Sequence, residues 1–74
     1  MDISEELNQL KQQLEQVKQQ DRILEGIEKR LYKMKEIAEY ASKHRLSEEE
    51  TRELEKQIEE HEAAIKSLEK YLDS

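Results

Sequence analysis

The chain has no cysteine, proline, tryptophan or phenylalanine, and its 74 residues include a single glycine. Without cysteine it can form neither a disulfide nor a thiolate metal site, and small secreted scaffolds of this size are usually disulfide-bonded. Proline and glycine dominate turns, so their scarcity argues against the loop-rich fold that usually lines an enzyme pocket. We therefore expect no catalytic site.

Long apolar runs are also lacking. No segment approaches the roughly 20 consecutive apolar residues that span a membrane, and residues 1–6 are acidic where a signal peptide would need an apolar core. The net charge of −6 argues against nucleic acid and anionic membrane surfaces as partners. A cytoplasmic protein is expected.

What the chain has is charge and helical periodicity. Charged residues make up 43% and apolar residues 34% of the sequence. Such a composition alone leans towards disorder, because little apolar surface can be buried. However, the abundance of Glu, Lys and Leu with apolar residues three and four apart is typical of long helices and coiled coils.

The apolar pattern of the second half mirrors that of the first half. Residues whose numbers sum to about 92 pair across a turn at residues 43–47, which predicts an antiparallel helical hairpin with a long first helix and a shorter second helix. The predicted hairpin core is Leu24, Ile27, Leu31, Met34, Ala38 and Ala41 on the first helix, against Thr51, Leu54, Ile58, His61, Ile65 and Leu68 on the second.

Local signals place the helix ends. Asp2 with Glu5 has the spacing of a capping box, and so does Ser47 with Glu50. The cations near His44 suit a helix C-terminus. The first helix is predicted from about residues 2–4 to 44, and the second from Ser47 to about Leu72.

Residues 1–20 extend beyond the predicted hairpin and carry their own apolar repeat. Their members are separated by glutamine-rich surfaces and are Ile3, Leu7, Leu10, Leu14 and Val17. Because these side chains have no partner within the chain, we expect self-association or binding to another protein. The repeat is out of phase with the hairpin pattern, and the slip falls near Asp21 and Gly26. We therefore divide the chain into an N-terminal coiled-coil extension, residues 1–20, and a hairpin, residues 21–74.

A flank of the hairpin is also apolar. Ile23, Ile37 and Tyr71 lie beside the predicted core, where they could either widen it or dock a second hairpin to form a four-helix bundle. A dimer is favoured. The residues Tyr32 and Tyr40 are candidate partner contacts, since exposed tyrosine is enriched at interfaces.

The two histidines offer little chemistry. His61, predicted opposite Leu31, is either a polar core residue that fixes register or a pH-sensitive residue. Neither His61 nor His44 belongs to a set with metal-ligand spacing, so we expect no metal and no cofactor.

Ile27-Glu28-Lys29-Arg30, the turn, and Thr51-Arg52-Glu53-Leu54 together resemble the layout of small two-helix aspartyl-phosphate phosphatases. That resemblance, over residues 27–60, implies dephosphorylation of response regulators. The family's Ser-Gln-Glu-Leu-Asp motif is replaced here by Glu55-Lys56-Gln57-Ile58-Glu59, where only Ile58 and Glu59 are conservative matches.

The sequence thus predicts an all-α hairpin with an N-terminal coiled-coil extension, assembled into a dimeric helical bundle. The expected function is non-catalytic protein–protein interaction, as an adaptor, assembly factor or small regulator. The alternatives are a phosphatase-like signalling regulator and a purely structural coiled-coil oligomer.

Overall fold

A computed structural model describes residues 2–73, with side chains as far as residue 72. Helix α1 spans Ile3–Lys43 and helix α2 spans Glu48–Asp73, with residues 44–47 between them. The described residues contain no strand. The prediction of an all-α chain with a long first helix and a shorter second helix is confirmed.

The two helices lie against each other in opposite directions. Gly26 of α1 approaches Leu68 of α2, and four residues further along α1 Arg30 reaches His61, which comes earlier in α2. Since α1 is 41 residues long and α2 only 26, about the first third of α1 extends beyond α2. The molecule is a rod of 68 × 19 × 11 Å.

Side chains satisfy free backbone groups at both helix starts. Asp2 Oδ1 accepts a hydrogen bond of 3.0 Å from the backbone N–H of Ser4. At α2, the Glu50 N–H donates to Ser47 Oγ at 3.1 Å, and the Ser47 hydroxyl donates to the Glu50 carboxylate at 3.2 Å. The predicted pairing of Ser47 with Glu50 therefore forms, and it fixes the point at which the chain enters α2.

His44 ends α1. Its Nδ1 donates to the carbonyl oxygen of Tyr40 at 2.8 Å, and the two rings stack with centroids 4.0 Å apart. His44 itself has extended backbone angles. Its contribution is therefore a hydrogen bond to one of the last carbonyls of the helix, together with ring packing.

The hairpin core is thin. Ile65 is the one apolar side chain classed as buried among the described residues, at 9% exposure. On α2 the predicted core positions are half-buried: Thr51, Leu54, Ile58, His61 and Leu68. This side of the predicted core lies where the sequence placed it.

On α1 the predicted core needs a correction. Leu24 and Leu31 are 51% and 53% exposed, and Ala38 and Ala41 are exposed as well. The residues turned towards α2 are half-buried and lie at or beside the predicted positions: Ile23, Gly26, Ile27, Met34 and Ile37. Relative to the prediction, α1 is rotated about its own axis by roughly half the angle between consecutive residues, since Ile27 and Met34 still face α2 while Ile23 and Ile37 replace Leu24 and Ala38.

Gly26 lies at a close approach between the two helices. A Cβ atom built at Gly26 would lie 3.3 Å from Leu68 Cδ1, so the glycine allows α2 to pack closely over this part of α1. The rotation also places the large side chain of Ile37, instead of the small one of Ala38, near the turn. Close approach and larger buried side chains both increase the apolar surface removed from water.

Substitution of Gly26 tests the closeness of this contact. Alanine should improve the helix propensity by about 1 kcal/mol, and Leu68 can shift by a few tenths of an ångström because it is only half-buried. We expect Gly26→Ala to raise the free energy of unfolding by about 0.5–1 kcal/mol in urea titrations. Leucine has a helix propensity similar to that of alanine but a larger side chain, so Gly26→Leu should lower the free energy of unfolding. A loss of stability in the alanine variant would contradict a contact that can adjust.

The rod exposes far more surface than a compact protein of its mass. Its radius of gyration is 19.4 Å, against about 11 Å for a globular domain of this length. Its accessible surface is 6708 Å², about 1,900 Å² more than a compact monomer of 8.9 kDa would expose. Much of the excess comes from α1.

Candidate protein-interaction site

A single line of apolar side chains runs along the exposed side of α1. It continues the N-terminal repeat through positions that the sequence assigned to the hairpin core. We call it the long stripe, and its members are all exposed: Ile3, Leu7, Leu10, Leu14, Val17, Leu24, Leu31 and Ala38. In the second half of the stripe, every other position of the four- and three-residue spacing is charged, at Asp21, Glu28 and Lys35.

The line that faces α2 lies next to the long stripe. Its members at 23, 30 and 37 each precede a stripe member at 24, 31 and 38 by one residue. Consecutive residues of an α-helix are rotated by about 100°, so α1 presents two adjacent apolar faces. One face is covered by α2, and the other is open.

The predicted slip near Gly26 therefore corresponds to no break in the helix. Helix α1 is continuous from Ile3 to Lys43. The N-terminal repeat continues as the long stripe, while the second line begins at Ile23 beside it. Two superimposed repeats produce the apparent change of phase.

Most of the N-terminal members of the stripe lie on the part of α1 that extends beyond α2. Exposure of these side chains ranges from 50% for Leu7 to 79% for Ile3. An apolar line of this length that remains in water is a feature of protein interaction sites.

The three residues of the predicted docking flank differ in burial. Ile23 and Ile37 are half-buried on the side of α1 that faces α2, so they contribute to the hairpin core. Tyr71 is 66% exposed and lines a shallow depression with Ile23 and three glutamines of α1, Gln16, Gln19 and Gln20. Docking of a second hairpin on this flank stays a prediction.

The two tyrosines of α1 differ in their surroundings. Tyr40 packs on His44 and so helps to end the helix. Tyr32 is 59% exposed and lines a depression with Glu25, Glu28, Lys29 and Lys33. Glu28 belongs to the same line of positions as the long stripe, so this depression borders it. Tyr32 is the better placed of the two for contact with a partner.

His61 faces Arg30 and not Leu31 as predicted. A guanidinium nitrogen of Arg30 lies 3.1 Å from His61 Nδ1. Because a guanidinium only donates, Nδ1 accepts, and this requires the ring proton on Nε2. A directed hydrogen bond between the helices favours one register of α1 on α2.

The charged residues on one flank of the long stripe change from positive to negative towards the C-terminal end of α1. Lys11 and Lys18 follow Leu10 and Val17 by one residue, and Glu25 follows Leu24 in the same way. Ion pairs of the described residues lie within one helix, for example Lys18 with Glu15 at 4.0 Å and Lys35 with Glu39 at 3.9 Å. Such exposed pairs are worth little, so these side chains can rearrange to meet another chain.

Sequence reasoning missed Leu24, Leu31 and Ala38 as members of the exposed line. The signal was present, since the spacing of four and three that starts at Ile3 continues without interruption through positions 21, 24, 28, 31, 35 and 38. The polar residues at Asp21, Glu28 and Lys35 concealed it.

Other kinds of site have little support in the described residues. No group of three or more His, Asp or Glu side chains is placed to hold a metal ion in this part of the chain. No described helix combines the length and the apolar character needed to cross a bilayer. A cytoplasmic location stays a prediction.

Comparison with known proteins adds no family. No protein-family model, no curated protein and no solved structure matches this chain.

Proposed function

We propose that the chain is a non-catalytic protein–protein interaction module that works by helix-to-helix packing on the long stripe. In this function it is an adaptor, an assembly factor or a small regulator of another protein. The observation that carries the proposal is the open apolar face of α1, which lies beside the face already covered by α2.

Energetics supports a partner for this face. Full burial of a leucine or valine side chain stabilises a protein by about 1.5–3 kcal/mol relative to leaving it in water. Several such residues lie on the part of α1 that extends beyond α2, including Leu7, Leu10 and Leu14. A helix of that length without packing is only marginally stable, so association would stabilise the helix and bury the stripe together.

The mode of binding follows from the shape of the surface. A straight apolar line with four- and three-residue spacing fits another helix, either in a coiled coil or in the groove of a partner. Charged residues along its flank, such as Lys18 and Glu25, would select among partners and orient them. Self-association into a homodimer is the form that we favour.

Leu14→Asp tests this proposal. A carboxylate in the middle of the stripe cannot be buried without a large cost, so we expect the variant to lose association. Sedimentation equilibrium should give twice the chain mass of 8.9 kDa for the wild type and the single-chain mass for Leu14→Asp. The matched control is Gln12→Asp, which adds the same charge on the side of α1 away from the stripe and should leave the mass unchanged.

Two results would contradict the proposal. One is a wild-type oligomer whose mass Leu14→Asp does not alter, since association would then use another surface. The other is release of phosphate from a phosphorylated receiver domain that is lost in Glu59→Ala, which would point to a catalytic, phosphatase-like protein.

A further inference from the structure

We infer that the long stripe is covered by a second copy of this chain, which lies antiparallel to the first around a two-fold axis near residue 19. In this arrangement Leu14 packs against the partner's Leu24, and Leu7 packs against the partner's Leu31. The inference rests on the proposed function and specifies the occupant, its direction and its register.

The lengths of the two halves of the stripe match. The N-terminal half, residues 3–20, spans 18 residues or about 27 Å of helix, and most of it lies beyond the end of α2, whose Tyr71 reaches Gln16, Gln19 and Gln20. From Asp21 to Ala38 the open face lies beside α2 and is equally long. Antiparallel pairing therefore lets each extension cover the open half of the other copy, and each end of the dimer becomes a three-helix unit.

The polar stripe positions disfavour a parallel, in-register pair over the full length. An in-register parallel pair would place Asp21, Glu28 and Lys35 each against its own copy. Like charges that face each other at a core position are destabilising. The antiparallel pair separates these positions from their own copies.

The antiparallel register also groups the large apolar residues. Numbers of facing core positions sum to 38, so the four all-leucine layers come from Leu7, Leu14, Leu24 and Leu31. Asp21 then faces the partner's Val17, and Glu28 faces the partner's Leu10. These mixed layers are less favourable than leucine pairs, but they avoid a like-charge contact.

Charges on the flank agree with this register. Lys11 comes beside the partner's Glu25, and the two-fold axis repeats this contact. Lys18 comes beside its own copy at the axis, where both long side chains reach water and screening is strong. Tyr32, at the border of the stripe, comes beside the partner's Ser4.

The exposed area is sufficient for a stable dimer. A typical specific interface buries about 800 Å² on each partner. The rod exposes about 1,900 Å² more than a compact monomer of the same mass, and the long stripe runs along most of its length. An interface along the whole stripe would therefore bury only part of this excess accessible surface.

The absence of cysteine makes the register directly testable, because every disulfide formed is an engineered one. Leu14→Cys and Leu24→Cys are prepared as separate full-length variants, mixed, allowed to exchange subunits and oxidised. Mass spectrometry of non-reduced protein then measures the cross-linked products. We expect the 14–24 heterodisulfide in several-fold excess over both homodisulfides. Gln12→Cys mixed with Leu24→Cys is the matched control, and it should form little cross-link because position 12 faces away from the stripe.

Homodisulfides at position 14 and at position 24 that exceed the heterodisulfide would show a parallel pair and overturn the inference, while the proposed function would stand. A wild type with the mass of a single chain, together with cysteine variants that form no cross-link, would also overturn it. The stripe would then be a surface for a different protein. A dimer that neither cross-links at these positions nor responds to Leu14→Asp would overturn the inference and the proposed function together. Far-UV circular dichroism of each cysteine variant verifies that the helices have formed.

Discussion

Ile65→Ala is expected to lower the free energy of unfolding by about 2–5 kcal/mol, the range for truncation of a buried isoleucine. Ile65 is the most completely covered apolar side chain of the described residues. A chain of 74 residues has a total stability of about 4–11 kcal/mol, so the substitution removes a large share of it. Urea unfolding followed by circular dichroism, at one fixed protein concentration, measures the loss.

Lys66→Ala is the control for this prediction. Lys66 follows Ile65 on α2 but is exposed, and exposed substitutions usually change stability by less than about 0.5 kcal/mol. If Ile65→Ala lowers the free energy of unfolding no more than Lys66→Ala does, the hairpin core is not centred on Ile65.

Ile23→Asp and Leu24→Asp are expected to have different effects although the two residues are neighbours. Ile23 is half-buried against α2, whereas Leu24 lies on the open stripe. Aspartate at 23 places a carboxylate between the helices and should lower the free energy of unfolding by about 1–3 kcal/mol while the dimer mass is retained. Aspartate at 24 should halve the solution mass and remove the dependence of the unfolding midpoint on protein concentration.

The pair serves as its own control, because both variants add one negative charge at nearly the same point of α1. Sedimentation equilibrium and urea titrations at two protein concentrations are needed for each variant. The reverse outcome, in which Leu24→Asp opens the hairpin and Ile23→Asp dissociates the dimer, would restore the core that the sequence alone predicts.

The features that were predictable from the sequence are those with local causes. Ser47 and Glu50 are three residues apart, and their reciprocal hydrogen bonds set the start of α2. The core line of α2 was also predictable, since Leu54, Ile58 and Ile65 belong to its one strong apolar repeat. Helix starts and a single periodic face depend only on residues close together in the chain.

The face of α1 that packs on α2 was not predictable in this way. Two repeats one residue apart, with Ile23 in one and Leu24 in the other, both satisfy helical periodicity. The choice between them depends on contacts between the two helices, such as the close approach of Leu68 to Gly26. A contact between residues so far apart in the sequence leaves no periodic signal.

The long stripe was predicted in part. Ile3 to Val17 were identified because no mirror partners exist for them in the second half of the chain. Leu24 and Leu31 were assigned to the core, since a leucine at helical spacing looks the same whether it packs on α2 or on another chain. Which face of α1 stays open to a second helix was not predictable, because it depends on how α2 packs on α1 in space.

The one-residue offset between the two faces of α1 makes the length of the chain between Gln20 and Ile23 a determinant of the proposed assembly. Insertion of one residue there would rotate everything after it by about 100° relative to the extension. The extension would then align with the line beneath α2, and its apolar side chains would point towards the side already occupied. We therefore expect this exposed, polar helical segment to be intolerant of insertion. The number of its residues sets the angle between the extension and the face that packs on α2.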